Sequence, residues 1–421
     1  MQPTKRPGLM LALIFGWLLF NAPYVVAQTD VQEAREAGRQ TELADPATLG
    51  FDVTVLGEID QVMTEGIEAG EIIGCNAMIL KDDKICYYQQ WGQQDKRKDV
   101  PVSRDAIWRI YSMTKPITSI AAMQLVEQGK LDLDGAVSEH IPEFANMKVL
   151  VEKDGKFTEE DAKREITVRD LLRHSSGLSY GLFGSSEVDK RYVKAGILLT
   201  TPDLKSMAER LGKIPLKHQP GAQFEYSIST DMLGYLVEVV SEQRFDEYLN
   251  EHVFQPLSMQ DTYFVLPEDK QSRFAELYRP SRDGSLKPAP RRSSLSYLKQ
   301  DNRFFSGGGG LCCSIDDYMQ FCRMLLNKGQ LDGKQIVSEE SLKEMWTNQL
   351  GDLETSSSRF KFGLGFSISP EGDYSWGGIA GTRFWVNPEK NLAMIYMIQI
   401  SPYRARFGNR MRQIVYRALE E

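Results

Sequence analysis

The sequence predicts an α/β (α+β) protein: an antiparallel sheet flanked by helices, formed by the N- and C-terminal parts, with a mostly helical domain inserted between them. Three observations predict it. Apolar runs of strand length stand near both ends, at residues 72–80 and 85–91 and again at 362–368, 383–386 and 392–400. The first two flank the polar stretch Lys81-Asp82-Asp83-Lys84, a hairpin signature. Between the two groups, from about residue 131 to 300, apolar residues recur at helical spacing among polar loops. Strands at both ends with helices between read as one sheet domain split by an insertion.

Taken in order, residues 1–27 carry Lys5 and Arg6, an uncharged apolar run at 9–20, and small residues up to Ala27, the pattern of a secretory signal. The mature protein is therefore expected to be exported, periplasmic or extracellular. The run is too short to span a bilayer, and no later segment reaches the roughly 20 apolar residues a span needs. Residues 28–50 read as a polar, loosely attached arm. Residues 51–70 form an amphipathic helix pattern with Leu56, Ile59, Met63 and Ile67 on one face. The sheet domain is expected at 51–135 and 301–421, and the insertion at 136–300. Inside the insertion, helix patterns occupy 167–173, 201–211, 227–241 and 245–254. Past it, Ser314 caps a helix over 314–326 with Asp317 in its first turn. A closing helix is expected near 404–419.

Composition narrows the function. With 421 residues and 42% hydrophobic content the chain can bury a large core. Its 50 Lys and Arg stand against 58 Asp and Glu, and loss of Lys5 and Arg6 with the leader takes the net charge from −8 to near −10. An acidic chain without basic runs does not suit nucleic acid. Five cysteines, Cys75, Cys86, Cys312, Cys313 and Cys322, show no C-x-x-C spacing, so buried apolar residues are expected rather than a disulfide framework, and no metal site or cofactor is called for.

The chemistry is expected at Ile110-Tyr111-Ser112-Met113-Thr114-Lys115-Pro116. A short strand pattern at 106–111 precedes it. Ile117, Ile120, Ala121, Met123, Leu125 and Val126 follow at helical spacing up to Gly129. Proline is tolerated only in a first turn, so the helix should begin at about Ser112. Lys115 then falls one turn on, within reach of the serine hydroxyl. A lysine held away from water can take a serine proton, and the helix terminus favours the negative charge that develops. Ser-x-x-Lys recurs at Ser296 with Lys299 and at Ser358 with Lys361, yet neither opens a long apolar helix. The same context also suits an ordinary capped core helix.

Three more stretches bear on a site. In Phe224-Glu225-Tyr226-Ser227-Ile228, Tyr226 either shares a proton network with Lys115 or supports a turn. Trp376-Gly377-Gly378-Ile379-Ala380-Gly381-Thr382 leads into a strand, and its glycines permit close backbone approach to a ligand or form a plain bulge. There, an N–H could face that of Ser112 to cradle an oxyanion. Gly307-Gly308-Gly309-Gly310-Leu311 lacks the context of a phosphate loop and reads as a tight turn near the site. Gly177-Leu178-Ser179-Tyr180-Gly181 matches the nucleophile-elbow pattern G-x-S-x-G, but helix rather than strand precedes it, so it reads as a decoy. A triad of Ser179 with His140, His174, His218 or His252 is the competing arrangement.

Ser112-Met113-Thr114-Lys115, Tyr226-Ser227 and Trp376-Gly377-Gly378, in that order, resemble the three motifs of the serine β-lactamase and penicillin-binding-protein superfamily. The likeness is to its class C-like branch of esterases and transesterases, where Trp-Gly-Gly stands in place of Lys-Thr-Gly. It extends from about residue 53 to 400 and includes His174-Ser175-Ser176-Gly177-Leu178 and Gln219-Pro220-Gly221. The resemblance implies Ser112 as acylated nucleophile, Lys115 and Tyr226 as the proton-transfer pair, and the N–H groups of Ser112 and Ile379 as oxyanion hole. It implies Trp376, Gly377, Gly378 and Ile228 as substrate-binding. Two departures matter: Ile228 replaces an asparagine that would hold a substrate amide, and Trp376 replaces a cation for a substrate carboxylate. Both imply an apolar cleft and small-molecule ester or acyl substrates, with a β-lactamase or D-Ala-D-Ala peptidase as the alternative enzyme and a non-catalytic binding module as the outsider.

Overall fold

In a computed structural model, residues 42–290, 295–351, 353, 361–403 and 406–420 are described. The expected leader and most of the arm lie outside them. Residues 42–50 do not trail free. Asp45 caps a 3-10 turn at Pro46–Leu49, Ala44 N–H donates to Ile85 O at 2.9 Å, and Leu49 packs on the core.

An eight-stranded antiparallel sheet is the spine of the described residues. Its strands are β1 (Gly74–Lys81), β2 (Lys84–Asp95), β3 (Val100–Pro101), β4 (Lys361–Phe362), β5 (Ser367–Ile368), β6 (Tyr374–Gly377), β7 (Arg383–Asn387) and β8 (Leu392–Ile398), in the spatial order β4-β5-β6-β7-β8-β1-β2-β3. The two ends of the chain meet where β1 pairs with β8, Cys75 opposite Ile398 through Lys81 opposite Leu392. β8 is apolar at every position because both faces of the sheet are covered. Ile395 and Met397 enter one core, and Met394, Tyr396 and Ile398 the other, the two-residue alternation a pleat imposes. The outer core is closed by α1 (Glu58–Glu68) and α5 (Arg406–Glu420). The inner core holds α2 (Thr114–Glu127), α3 (Ser229–Ser241) and α4 (Ile315–Leu326), the last opened by the expected Ser314 cap on Asp317 N.

Several expected elements are shorter than their sequence patterns. The 51–70 helix breaks at Gly57 into Val53–Leu56 and α1. The expected strand at 362–368 is only its two ends, β4 and β5. A Cβ on Gly363 would lie 1.9 Å from Met345 O, and Gly365 has φ +93°, so the middle must turn. The strand before Ser112 covers Ile107–Arg109 and belongs to a separate three-stranded sheet with Cys312–Ser314 and Thr262–Tyr263. A hairpin of Lys148–Lys153 and Lys156–Asp161 adds strand within the largely helical middle. All five cysteines are buried and free, and burial pushes the Cys86 and Cys312 thiols up to about 12.

Candidate active site

The chain reaches Ser112 through a backbone that few residues adopt. Tyr111 has φ +42°, a left-handed conformation that costs a tyrosine of order 1–3 kcal/mol and persists only where neighbours enforce it. Here three elements do so. Ile110 N–H donates to Leu311 O at 3.1 Å, and Leu311 N–H to Thr114 Oγ1 at 3.1 Å. Tyr318 of α4 donates to Met113 O at 2.9 Å, and Thr382 beside β7 donates to Ile110 O at 3.2 Å. The expected helix start at Ser112 is refined accordingly: a 3-10 turn, Tyr111–Met113, leads into α2, with Pro116 still in the first turn.

Lys115, only 1% exposed, fills all three of its donor positions. Its Nζ donates to Gly308 O at 2.6 Å, Tyr180 OH at 2.8 Å and Ser112 Oγ at 3.4 Å. Tyr226 OH donates to Ser112 Oγ at 2.7 Å, and its ring lies 4.7 Å from Lys115 Nζ. Residues far apart in sequence thus converge on one hydroxyl.

The glycine loop explains itself at this point. A Cβ on Gly307 would lie 2.5 Å from Thr230 O, and one on Gly308 2.4 Å from Asp231 Oδ2. Bare backbone lets the loop press against α3 and present Gly308 O to the lysine. Asp231 holds the loop, accepting from Gly308 N at 3.2 Å and from Ser306 Oγ. Burial raises the Asp231 carboxyl above its ordinary range, and the Lys115 charge pulls it back in part.

Sequence reasoning missed Tyr180, which lies within the G-x-S-x-G decoy. It is the tyrosine of that pattern that reaches the site. Burial above all, then Tyr226 and Asp231, hold its hydroxyl well above the usual phenol range, so it stays protonated beside the amine. Ser179 is 2% exposed and donates to Asp189, with no histidine partner among the described residues. His174 instead packs on Tyr226, ring centroids 5.0 Å apart, with Nδ1 3.4 Å from Ser227 Oγ. Burial, then the Lys115 charge, push it well below the usual histidine range.

Ser112 and Tyr226 open into a cavity of about 500 Å³ whose lining includes Phe183, Trp376, Gly377, Gly378 and Ile379. A Cβ on Gly378 would lie 2.4 Å from Ile110 O, so glycine there lets the end of β6 close on the turn at Tyr111–Met113. Ile379 follows, 42% exposed. Two expectations need correction. Ile228 does not line this cavity: it is 0% exposed and belongs to the inner core, because the chain turns into α3 directly after Ser227. Nor is the cleft without a cation, since Arg383 of β7 lines it. Arg383 comes to stand opposite Gly377 through pairing of β6 with β7, which no local pattern in the sequence shows.

A serine at the head of a buried helix, a lysine one turn on and a tyrosine across the cleft mark a serine hydrolase. The chain belongs to the β-lactamase family, whose model matches residues 59–417. Protein Rv1367c of Mycobacterium tuberculosis is 33% identical over 80% of this chain and 88% of its own length. Esterase EstB of Burkholderia gladioli is 28% identical over 84% of this chain and 93% of its own. Among solved structures, EstCE1, described as a hydrolase with promiscuous acyltransferase activity, superposes with a TM-score of 0.73 at 24% identity, covering 86% of this chain and 99% of that one, a likeness of fold.

Proposed function

We propose that the protein is an exported carboxylesterase or transesterase that works through an acyl-enzyme on Ser112. The observation that carries this is the convergence of Lys115 and Tyr226 on the Ser112 hydroxyl at the mouth of an aromatic-walled cavity. In acylation, Ser112 Oγ attacks the ester carbonyl while its proton passes to the Lys115–Tyr226 pair. The C–O bond to the alcohol then breaks and the pair returns the proton to the departing oxygen. Water or a second alcohol reverses the sequence, giving hydrolysis or transesterification. The N–H groups of Ser112 and Ile379 stabilise the oxyanion between these steps.

Esters are favoured over β-lactams or peptides because no carboxamide side chain is among the described residues of the cavity lining to hold an acylamino group. A buried amide left without a partner costs roughly 1–3 kcal/mol. Mature protein is expected to hydrolyse 4-nitrophenyl butyrate with a far higher kcat/KM than nitrocefin, both measured under the same conditions. A preference for nitrocefin would make the protein a β-lactamase instead.

A further inference from the structure

One buried carboxylate beside the catalytic lysine has no part in the steps above. Asp231, in the first turn of α3, is 1% exposed. Its Oδ1 accepts from Gly308 N at 3.2 Å and from Ser306 Oγ. Gly308 in turn gives its carbonyl to Lys115 Nζ at 2.6 Å, the shortest of the three bonds that Nζ donates. One glycine therefore stands between the lysine and the carboxylate, its C=O toward the first and its N–H toward the second. The peptide that carries that N–H is held at its other end too, since Thr118 Oγ1 of α2 donates to Gly307 O at 2.8 Å. α2 and α3 thus clamp the loop from both sides. Glycine lets the carboxylate come this near, because a Cβ on Gly308 would lie 2.4 Å from Asp231 Oδ2.

A carboxylate buried at this depth is unfavourable unless it is hydrogen-bonded and balanced by a cation. Both conditions are met here. Two donors reach Oδ1, and the Lys115 charge opposes the rise that burial imposes on the carboxyl. The other titratable groups that face the pair are Tyr180, Tyr226 and His174. Tyr180 is held well above the phenol range and His174 well below the histidine range, so neither supplies a negative charge. We infer that Asp231 is the positioning residue of the catalytic lysine: it holds the Gly308 carbonyl against Lys115 Nζ and supplies the negative charge that balances the ammonium formed when the Ser112 proton arrives. This rests on the acyl-enzyme reading above. The proton moves as it does there, from Ser112 Oγ to the Lys115–Tyr226 pair and on to the departing oxygen. Asp231 takes no proton and touches no substrate. It acts because an opposite charge nearby favours the protonated form of an amine.

Asp231→Asn tests it, because the amide keeps an oxygen for Gly308 N and Ser306 Oγ and loses the charge. With 4-nitrophenyl butyrate, kcat should fall about tenfold with KM nearly unchanged, as for a group that acts on proton transfer and not on the substrate. The acid limb of kcat/KM should move down by about one pH unit, since an amine without a neighbouring negative charge gives up its proton more readily. A residue that only props the loop would lower activity at every pH alike, so an unmoved limb overturns the inference. Thr118→Val removes the other bond on the Gly307–Gly308 peptide and leaves every charge in place, so its limb should coincide with that of the wild type. A limb that moves as far in Thr118→Val as in Asp231→Asn also overturns it. The effect should vanish where there is no lysine to act on: in Lys115→Ala, the further change Asp231→Asn should cost less than about twofold. The full tenfold loss in that background overturns the inference. If Asp231→Asn does not fold, Ser306→Ala in the same two backgrounds asks the question by removing one donor from the carboxylate. A loss confined to the background with Lys115 supports the inference, and an equal loss in both overturns it. Wild-type protein that neither hydrolyses 4-nitrophenyl butyrate nor labels at Ser112 with a fluorophosphonate would instead remove the acyl-enzyme reading beneath it.

Discussion

The turn at Tyr111–Met113 and the loop at residues 177–181 both place a serine near a tyrosine and a buried ion, yet they differ in what surrounds the hydroxyl. Ser112 Oγ meets Tyr226 and Lys115 on one side and a cavity of about 500 Å³ on the other. Ser179 is 2% exposed, and its hydroxyl donates to Asp189, which also accepts from Ser186 Oγ at 2.7 Å and Ser186 N at 2.9 Å. One serine lies between a lysine–tyrosine pair and open space. The other has a carboxylate partner and no space. A nucleophile needs a neighbour that can exchange its proton and room for a substrate, so a four- or five-letter pattern distinguishes them only when the elements around it are known.

Exchanging the fates of these serines is the largest effect expected. Ser112→Ala should lower kcat for 4-nitrophenyl butyrate by at least about 10³-fold and abolish labelling by a fluorophosphonate. Ser179→Ala should keep its label and most of its activity, losing roughly 1–3 kcal/mol of stability as Asp189 gives up one buried partner. Label mapped to Ser179 by peptide analysis would reverse the comparison.

The proton network should show a graded loss. Lys115→Ala and Tyr226→Phe remove groups in contact with the reacting oxygen, so kcat should fall about 10²–10⁴-fold with a smaller change in KM. Tyr180→Phe removes only an acceptor for Lys115, and a loss of about tenfold is expected, near the value of one hydrogen bond. Kinetics on the three variants would show whether Tyr180 positions the lysine. A Tyr180→Phe enzyme as impaired as Tyr226→Phe would assign the two tyrosines equal parts.

The sheet and the turn at Ser112 were legible in the sequence because both rest on local patterns. The near-continuous apolar runs of β1 and β8, buried along almost their whole length, are local patterns, and they point to the split sheet directly. Ser112 and Lys115 followed from proline placement and helix spacing, also local. Tyr180, Asp231 and Arg383 were not legible. The first was hidden in a pattern with another meaning, the second depends on α3 meeting the Gly307 loop, and the third on pairing between β6 and β7. Ile228 was misplaced for a related reason. Two residues beyond Tyr226 the chain has already turned into the core, and a motif aligned by letters does not record that.

The smallest expected effect concerns His174, which joins the two regions, preceding the decoy loop while packing against Tyr226. It is buried, adopts φ +57° and is held neutral, first by burial and then by the Lys115 charge. His218 is likewise lowered, mainly by burial. An unfolded histidine binds its proton near pH 6.5, so from there down to the depressed folded value the unfolded chain carries more protons. The stability these histidines contribute is present above about pH 6.5 and is lost as pH falls through that window. The depressed carboxylates Asp170 and Asp261 act in the same direction only further down, as pH drops below the ordinary carboxylate range. Asp231 and Glu238, whose carboxyls burial raises, act in the opposite direction as pH falls, so the histidine part of the decline in Tm, at most about 1.4 kcal/mol per pH unit for each, is read from the difference between variant and wild type. His174→Gln should lower Tm at neutral pH and flatten that decline. Equal slopes in the variant and the wild type would mean that His174 takes up its proton without cost, and that the packing which holds Tyr226 against Ser112 is looser than the geometry describes.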